Sequence, residues 1–380
     1  MKLYSWGANS HGQLGQNVVS EACCTPTEIS ISNLDPSNIS SIVGGGGHTL
    51  VLDRAGKTYS CGWNNKGQVG VAEHEVTTFR PVESLPNKII QLACGWDSSL
   101  AVAADGSLLV WGSNSYSQLA LPKQKFSCLN SPKHVPSAKV KRASLGLRHL
   151  ALVAEDGKVF VCGSGSKGQL GLVDSNGHPF PEICTLTEVS QLSNIIDISC
   201  GQHHCIALSD VGKIFVWGDN RFGQLGLDST VQPVVYEPQE LSLSALTGVK
   251  GDPSSVYAGW THSVLLTDKG EVVNWGRNTY GQLSNNGRRR AVSWNPTLLS
   301  IDERIKQIAV GSEHNIILTE TGSIMSWGWN EHGNCGVGTQ ENVLEPTLIQ
   351  AGLQNKANLI GTGACHSFAI LDIGSDTLEL

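Results

Sequence analysis

Six residues stand out as able to do chemistry without forming a familiar catalytic set: Trp96, Asp97, Arg148, His203, Trp260 and Glu313. Each falls in one of the two variable positions of a recurring phrase: a glycine, two variable residues, then usually His. The copies end at His48, Ser98, His149, His204, His262, His314 and His366. The variable pairs are Gly46-Gly47, Trp96-Asp97, Leu147-Arg148, Gln202-His203, Trp260-Thr261, Ser312-Glu313 and Ala364-Cys365. Packing makes framework positions agree among copies, so positions that disagree are free to serve function. By symmetry these pairs are expected to ring a central channel on one face. Mixed charges with exposed aromatics are typical of a surface that grips another protein.

Other arrangements invite a chemical reading and lose it in context. Residues 163–168 read GSGSKG and satisfy G-x-G-x-x-G, but a dinucleotide site needs a helix to follow and none is expected. The same six positions elsewhere read GANSHG and GDNRFG, so these glycines serve a repeated turn; Gly44 to Gly47 meets the same objection. Cys200, His203, His204 and Cys205 have the residue types of a metal site. His204, however, is the repeat His, and its siblings have no second cysteine nearby, so no metal is expected. The framework residues His48, His149, His204, His262, His314 and His366 are expected to tie backbone groups of adjacent strands within a blade. A sevenfold pattern lacking a unique Ser partner likewise argues against a Ser-His-Asp site.

The elements that position these residues follow from a second phrase in step with the first. It reads WGANSHGQLG from Trp6, CGWNNKGQVG from Cys61, WGSNSYSQLA from Trp111, CGSGSKGQLG from Cys162, WGDNRFGQLG from Trp217, WGRNTYGQLS from Trp275 and WGWNEHGNCG from Trp327. Its glycines are spaced by 55, 50, 51, 55, 58 and 52 residues, and such periodicity decides architecture before any local motif. Each repeat carries a β-rich run into the G-x-x-H phrase, an apolar run after it, a turn such as EDG or TDKG, and a β-rich run into the Trp/Cys phrase. A fourth, shorter strand is expected near CTPTEIS and EPTLIQ. Four antiparallel strands in about 52 residues make one propeller blade. The fold class is therefore all-β, a seven-bladed β-propeller over residues 1–380 with no separate tail or second domain. The last repeat lacks its third strand, and Leu3-Tyr4-Ser5-Trp6 is expected to supply it and close the ring.

The paired phrases resemble the regulator of chromosome condensation family of seven-bladed propellers, over essentially the whole chain. GGGGHT at 44–49, ACGWD at 93–97, GLRH at 146–149, AGWTH at 258–262, VGSEHN at 310–315 and SWGWNEHGNCG at 326–336 are most similar to its secretion-regulating guanine nucleotide exchange factor branch. The resemblance implies a Ras-superfamily small GTPase as partner and release of its GDP as the activity. It places functional acids and a His at the pre-His position, which here are Asp97, Glu313 and His203. The acids would engage the GTPase's phosphate-loop lysine or disfavour its Mg²⁺, and Trp260 would displace a switch segment. The family's founding member also carries a protruding β-wedge, for which only the intervals 172–194 and 227–253 have room. The alternative is a scaffold of the same fold without exchange activity. A plant ultraviolet-B photoreceptor shares the fold and uses tryptophans in G-W-R-H-T phrases. Here only Trp96 and Trp260 stand in that phrase, three blades apart, and are expected not to pack together; Arg148 is the one pre-His Arg. Both points argue against light sensing.

Composition narrows the class further. Net charge is −7 and the isoelectric point about 5.9, which argues against nucleic acid as the main partner. The basic clusters, Lys139-Val140-Lys141-Arg142 and Arg288-Arg289-Arg290, read as solvated loops. No apolar run nears the roughly 18 residues of a membrane span. Met1-Lys2 leads straight into a strand, so no secretory leader is expected. Eleven cysteines, with Cys61 and Cys162 standing in for Trp, read as reduced thiols of a cytosolic or nuclear monomer that needs no cofactor.

Overall fold

The computed structural model describes residues 1–372 except 33, 87, 245, 285–290 and 351–355. Arg288-Arg289-Arg290 and Gly374 of the final turn thus lie outside the described residues. Twenty-eight strands form seven four-stranded antiparallel blades, with one short 3-10 turn at Pro36–Asn38 the only helix among the described residues. Blade 1 comprises Ile39–Gly44, His48–Asp53, Thr58–Trp63 and Glu75–Pro81. Blades 2 to 6 begin at Ile89, Val140, Ile195, Pro253 and Ile305. Blade 7 takes two strands from each end of the chain: Ala357–Thr362 and His366–Leu371, then Lys2–Asn9 and Ser20–Ile29. Leu3 faces Ile370 and Trp6 faces Ser367, so the N-terminal strand closes the ring as its sequence anticipates. The outermost strands are not shorter than the rest. They run from 6 to 10 residues. No helix among the described residues is long and apolar enough to cross a membrane.

The second strand of each blade is buried along nearly its whole length, since it lies between neighbours in its own sheet and between two blades. The blades are locked together by one repeated relay. His48 Nε2 meets Ser99 Oγ of the next blade at 2.8 Å, His204 meets Ser263 at 3.0 Å, His262 meets Asn315 Oδ1 at 3.0 Å, and His314 meets Ser367 at 3.1 Å. His366 meets Thr49 across the ring closure at 2.8 Å, and His149 meets Cys205 Sγ at 3.3 Å. The receiving side chain passes its own proton back to a main-chain carbonyl of the previous blade, as Ser99 does to Gln68 and Ser263 to Gln224, at 2.8 and 2.7 Å. The indole N–H groups of Trp6, Trp111, Trp217, Trp275 and Trp327 converge on the same set of carbonyls at 2.8–3.0 Å. The framework histidines therefore tie blade to blade through side chains; they do not tie strands within a blade, as the sequence reading expected. A hydroxyl that gives its only proton to a carbonyl must accept from the ring, which fixes the Nε2–H tautomer. The buried Nδ1 atoms of all six have no hydrogen-bond partner among the described residues.

Blade 2 departs from the rule in a matched way. Ser98 replaces the His, and Leu150 replaces the polar receiver in blade 3. The backbone register is unchanged, Ser98 facing Gly112 as His48 faces Gly62. Apolar packing of Leu150 with Leu100, Leu145 and Cys162 takes over this junction. Ser98 Oγ is left buried without a partner.

Two outcomes follow. His262→Ala should lower unfolding free energy by about 2–4 kcal/mol, through a cavity plus an unpaired Asn315, whereas Ser98→Ala should stay within about 1 kcal/mol of the parent. Urea titration of both variants checks this, and equal costs would contradict the relay. Burial pushes His48, His204, His314 and His366 down to about 3 and His262 to about 4. Below pH 6.5 the unfolded chain takes up protons that the folded relay refuses, so stability should fall steadily from pH 6.5 towards 4. A urea midpoint that stays constant between pH 7 and 5 would refute this.

Candidate functional site

The pre-His loops and the loops after each Trp/Cys glycine lie at the same end of the blades, because the two strands they join are an antiparallel pair. The D-x-G turns occupy the other end. The Trp/Cys glycine is required by contact: at Gly62 and Gly218, φ is +108° and +107°, and a Cβ would come within 2.3 Å of the Gly47 or His203 carbonyl. That carbonyl accepts the N–H of the residue after the glycine, as Gly47 does from Trp63 at 2.7 Å and His203 from Asp219 at 2.8 Å. The two loops of each blade are thereby held edge to edge.

The pre-His pairs form two concentric rings, not one. In six of the seven pairs the first residue turns to the channel mouth, a space of about 100 Å³ lined by Gly46, Trp96, Leu147, Trp260, Ser312 and Ala364; Gln202 does not line it. Main-chain bonds run round this collar, from Gln202 to Trp260, Trp260 to Ser312, Ser312 to Ala364 and Ala364 to Gly45, at 2.7–3.2 Å. Trp96 and Trp260 meet over the opening with ring centroids 5.3 Å apart and planes at 47°. The expectation that a separation of three blades keeps them from packing is wrong, because both side chains reach inward across a narrow mouth. Gly46 leaves room for this, since a Cβ there would lie 2.6 Å from the Trp96 indole.

The second residues form the outer ring. Asp97 is half-buried; burial raises its pKa, with Ser113, Lys66 and Arg148 pulling the other way. Arg148 is exposed and lies 4.0 Å over the Tyr116 ring. His203 is half-buried and pushed down to about 4, first by burial and then by His149, so it is neutral at pH 7. Beside it Arg221 grips Asp219 through two nitrogens at 2.9 and 2.7 Å. Glu313 departs from the expected exposed rim. It is only 6% exposed, its carboxylate accepting from Thr261 Oγ1 and Gln282 Nε2, each at 2.6 Å, with Arg277 Nη1 at 3.9 Å. Burial pushes its pKa up. Its position beneath Arg277 makes it a support for that guanidinium, which sits 4.8 Å from both the Phe222 and Tyr280 rings.

Further residues share this face and escaped the sequence reading. They occupy the variable positions of the Trp/Cys phrase: His11 and Trp63 with centroids 4.5 Å apart, Tyr280 and Trp329 at 6.4 Å, and Trp329 and His332 at 5.4 Å. His11, Trp63, Trp96, Glu331 and His332 help line a groove of about 540 Å³. The signal was available, since these positions disagree among copies just as the pre-His pairs do. In the interval 227–253 the described residues form an outer strand and turns, while in 172–194 an antiparallel bridge from Val173 to Pro179 closes a short exposed turn through Asp174–His178 ahead of the outer strand. The metal-like set Cys200, His203, His204 and Cys205 is not assembled. His204 binds Ser263, and the ring beside the two thiols is His149 of the preceding blade. At the foot of the molecule Lys139, Lys141 and Arg142 are exposed around a buried Val140.

A closed ring of seven such blades with its variable side chains gathered on one face defines the RCC1-like class of propellers. Residues 2–369 match the RCC1-like domain, and the chain belongs to that family. It is 33% identical to the secretion-regulating guanine nucleotide exchange factor of Mus musculus over 98% of this chain and 84% of that protein. It is 30% identical to the ultraviolet-B receptor UVR8 of Arabidopsis thaliana over 91% of this chain and 77% of that one. The crystal structure of Prp20p from Saccharomyces cerevisiae, described with its binding properties to Gsp1p and histones, superposes with a TM-score of 0.85 at 26% identity, covering 98% and 92% of the two chains.

Replacing Glu313 by Ala should cost about 1–3 kcal/mol by stranding Thr261, Gln282 and Arg277, whereas Arg148→Ala should change stability by no more than about 0.5 kcal/mol. Chemical denaturation of the two variants decides it, and a neutral Glu313→Ala would return that residue to the rim.

Proposed function

We propose that this chain is a guanine nucleotide exchange factor that binds a Ras-superfamily small GTPase on its pre-His face and promotes GDP release. The observation that carries the reading is the gathering of Trp96, Asp97, Arg148, His203 and Trp260 on one face of an RCC1-like propeller. The name of the mouse relative and the printed subject of the Prp20p structure support it. No covalent chemistry is needed. A GTPase that holds GDP and Mg²⁺ tightly releases them faster when a partner prefers its nucleotide-free form, and the shift is limited by that preference. Asp97, whose carboxylate is held near Arg148 and Lys66, would draw the GTPase's phosphate-loop lysine away from the nucleotide. The Trp96–Trp260 pair offers a rigid apolar anchor at the centre of the contact, where such residues contribute most. Neutral His203 serves as a hydrogen-bonding group. A link to secretion follows the mouse relative's name, and the eleven free thiols suit a monomer of the cytosol or nucleus.

One observation favours a scaffold without exchange activity. Glu313, one of the two acids the resemblance nominates, spends its carboxylate on internal partners. Release of fluorescent GDP from a panel of purified small GTPases, Ran and Rab types included, separates the readings. Acceleration of one member by about tenfold, equivalent to about 1.4 kcal/mol of barrier, is expected with the parent chain and should be lost in Asp97→Ala and Trp260→Ala at unchanged melting temperature. Binding of a GTPase without acceleration would establish the scaffold.

A further inference from the structure

Among the described residues, the junction of blades 3 and 4 holds a cluster that no other junction has. His149 is the usual relay histidine, but its receiver is Cys205 where three other junctions use serine. Directly opposite Cys205 on the neighbouring strand stands Cys200, with its sulfur 3.7 Å from that of Cys205. Both thiols and the imidazole are buried, and their three ligand atoms lie within 4.8 Å of one another.

We propose that His149 Nε2, Cys200 Sγ and Cys205 Sγ bind one thiophilic d¹⁰ cation, with Zn²⁺ as its reference member. The spacing fits. Two sulfurs at about 2.3 Å from a tetrahedral zinc lie about 3.8 Å apart, close to the 3.7 Å separation of Cys200 and Cys205. The nitrogen-to-sulfur distance of 3.3 Å needs a shift of only a few tenths of an ångström. Charge fits as well: a dication with two thiolates and a neutral imidazole is a neutral centre, which a buried site tolerates. Access exists because Cys200 also lines the central channel, both at the collar and along the wider bore of about 440 Å³ beneath it. Binding takes both sulfurs as thiolates, whatever protons they carry leaving to solvent, and the imidazole proton moves from Nε2 to the unpartnered Nδ1. The Gln169 carbonyl loses the Cys205 S–H but keeps the Trp217 indole N–H at 3.0 Å, so the junction survives loading.

The test uses the full chain, reduced and stripped of metal, titrated with Co²⁺. Thiolate-to-cobalt charge-transfer absorption should rise to saturation at one equivalent, and Zn²⁺ should bleach it. Cys205→Ser should abolish the band while keeping the fold, since serine serves the same relay at Ser99 and Ser263. Cys200→Ala should also abolish it, whereas a Cys23→Ser, Cys24→Ser double variant should retain it. Zn²⁺ should raise the melting temperature of the parent and leave that of Cys205→Ser unmoved. No band, a band that persists in Cys205→Ser, or a Cys200–Cys205 disulfide in a chain that takes up no cobalt once reduced would each overturn the proposal. The readout is independent of any GTPase, so its result stands apart from the exchange reading.

Discussion

The ring depends on one proton direction. At six of seven junctions an imidazole gives its Nε2 proton to a side chain that must already be giving its own to a carbonyl. That order makes each blade the acceptor and donor of its neighbour at once, with an indole N–H converging on the same carbonyl at five of the six junctions and the Cys61 thiol at the ring closure. Protonating an imidazole would place a charge in a buried site; among the described residues the acids that would favour it are Glu313, 3.8 Å from His262 Nδ1, and Asp219 near His204. The apolar core between blades supplies area, but the relay supplies registry: it specifies which residue of one blade faces which residue of the next.

The same rigidity explains how a flat set of loops becomes a defined face. Each pre-His loop is pinned by its outgoing strand and by the glycine contact, and all but that of blade 3 also by the main-chain collar at the channel. Side chains on it vary while the backbone does not. The aromatic pairs at the mouth and on the rim are therefore presented by a surface that needs little ordering on binding, which reduces the entropic cost of association.

The fold was legible because its signals were repeated: seven copies of two phrases outweigh ambiguity in any single strand, and a missing strand at one end matched a surplus strand at the other. The site was legible only as an address. Symmetry located the variable positions, yet could not say that consecutive residues would part company, Trp260 turning inward and Thr261 beneath the rim to hold Glu313. Blade counting misjudged Trp96 and Trp260 because separation along a ring says little about distance across a narrow bore. The histidine relay was assigned to the wrong partners for a related reason. Its acceptors lie 51 to 59 residues away along most of the chain, and only the stacking of one blade on the next brings them together. The paired exchange of Ser98 and Leu150 was visible in the sequence, but its meaning required knowing that those two positions touch.

Blade 7 is assembled from both ends of the chain, and this has a consequence for biosynthesis. The hairpin holding Leu3 and Trp6 emerges from the ribosome first, while its partner strand, His366–Leu371, comes last. At about 5–20 residues per second, roughly 20 to 70 s pass between the two events. During that interval an apolar strand edge stands open, and the growing stack of blades is an unclosed arc with two sticky flanks. The newborn chain must keep those flanks from pairing with other chains until its closing strand arrives.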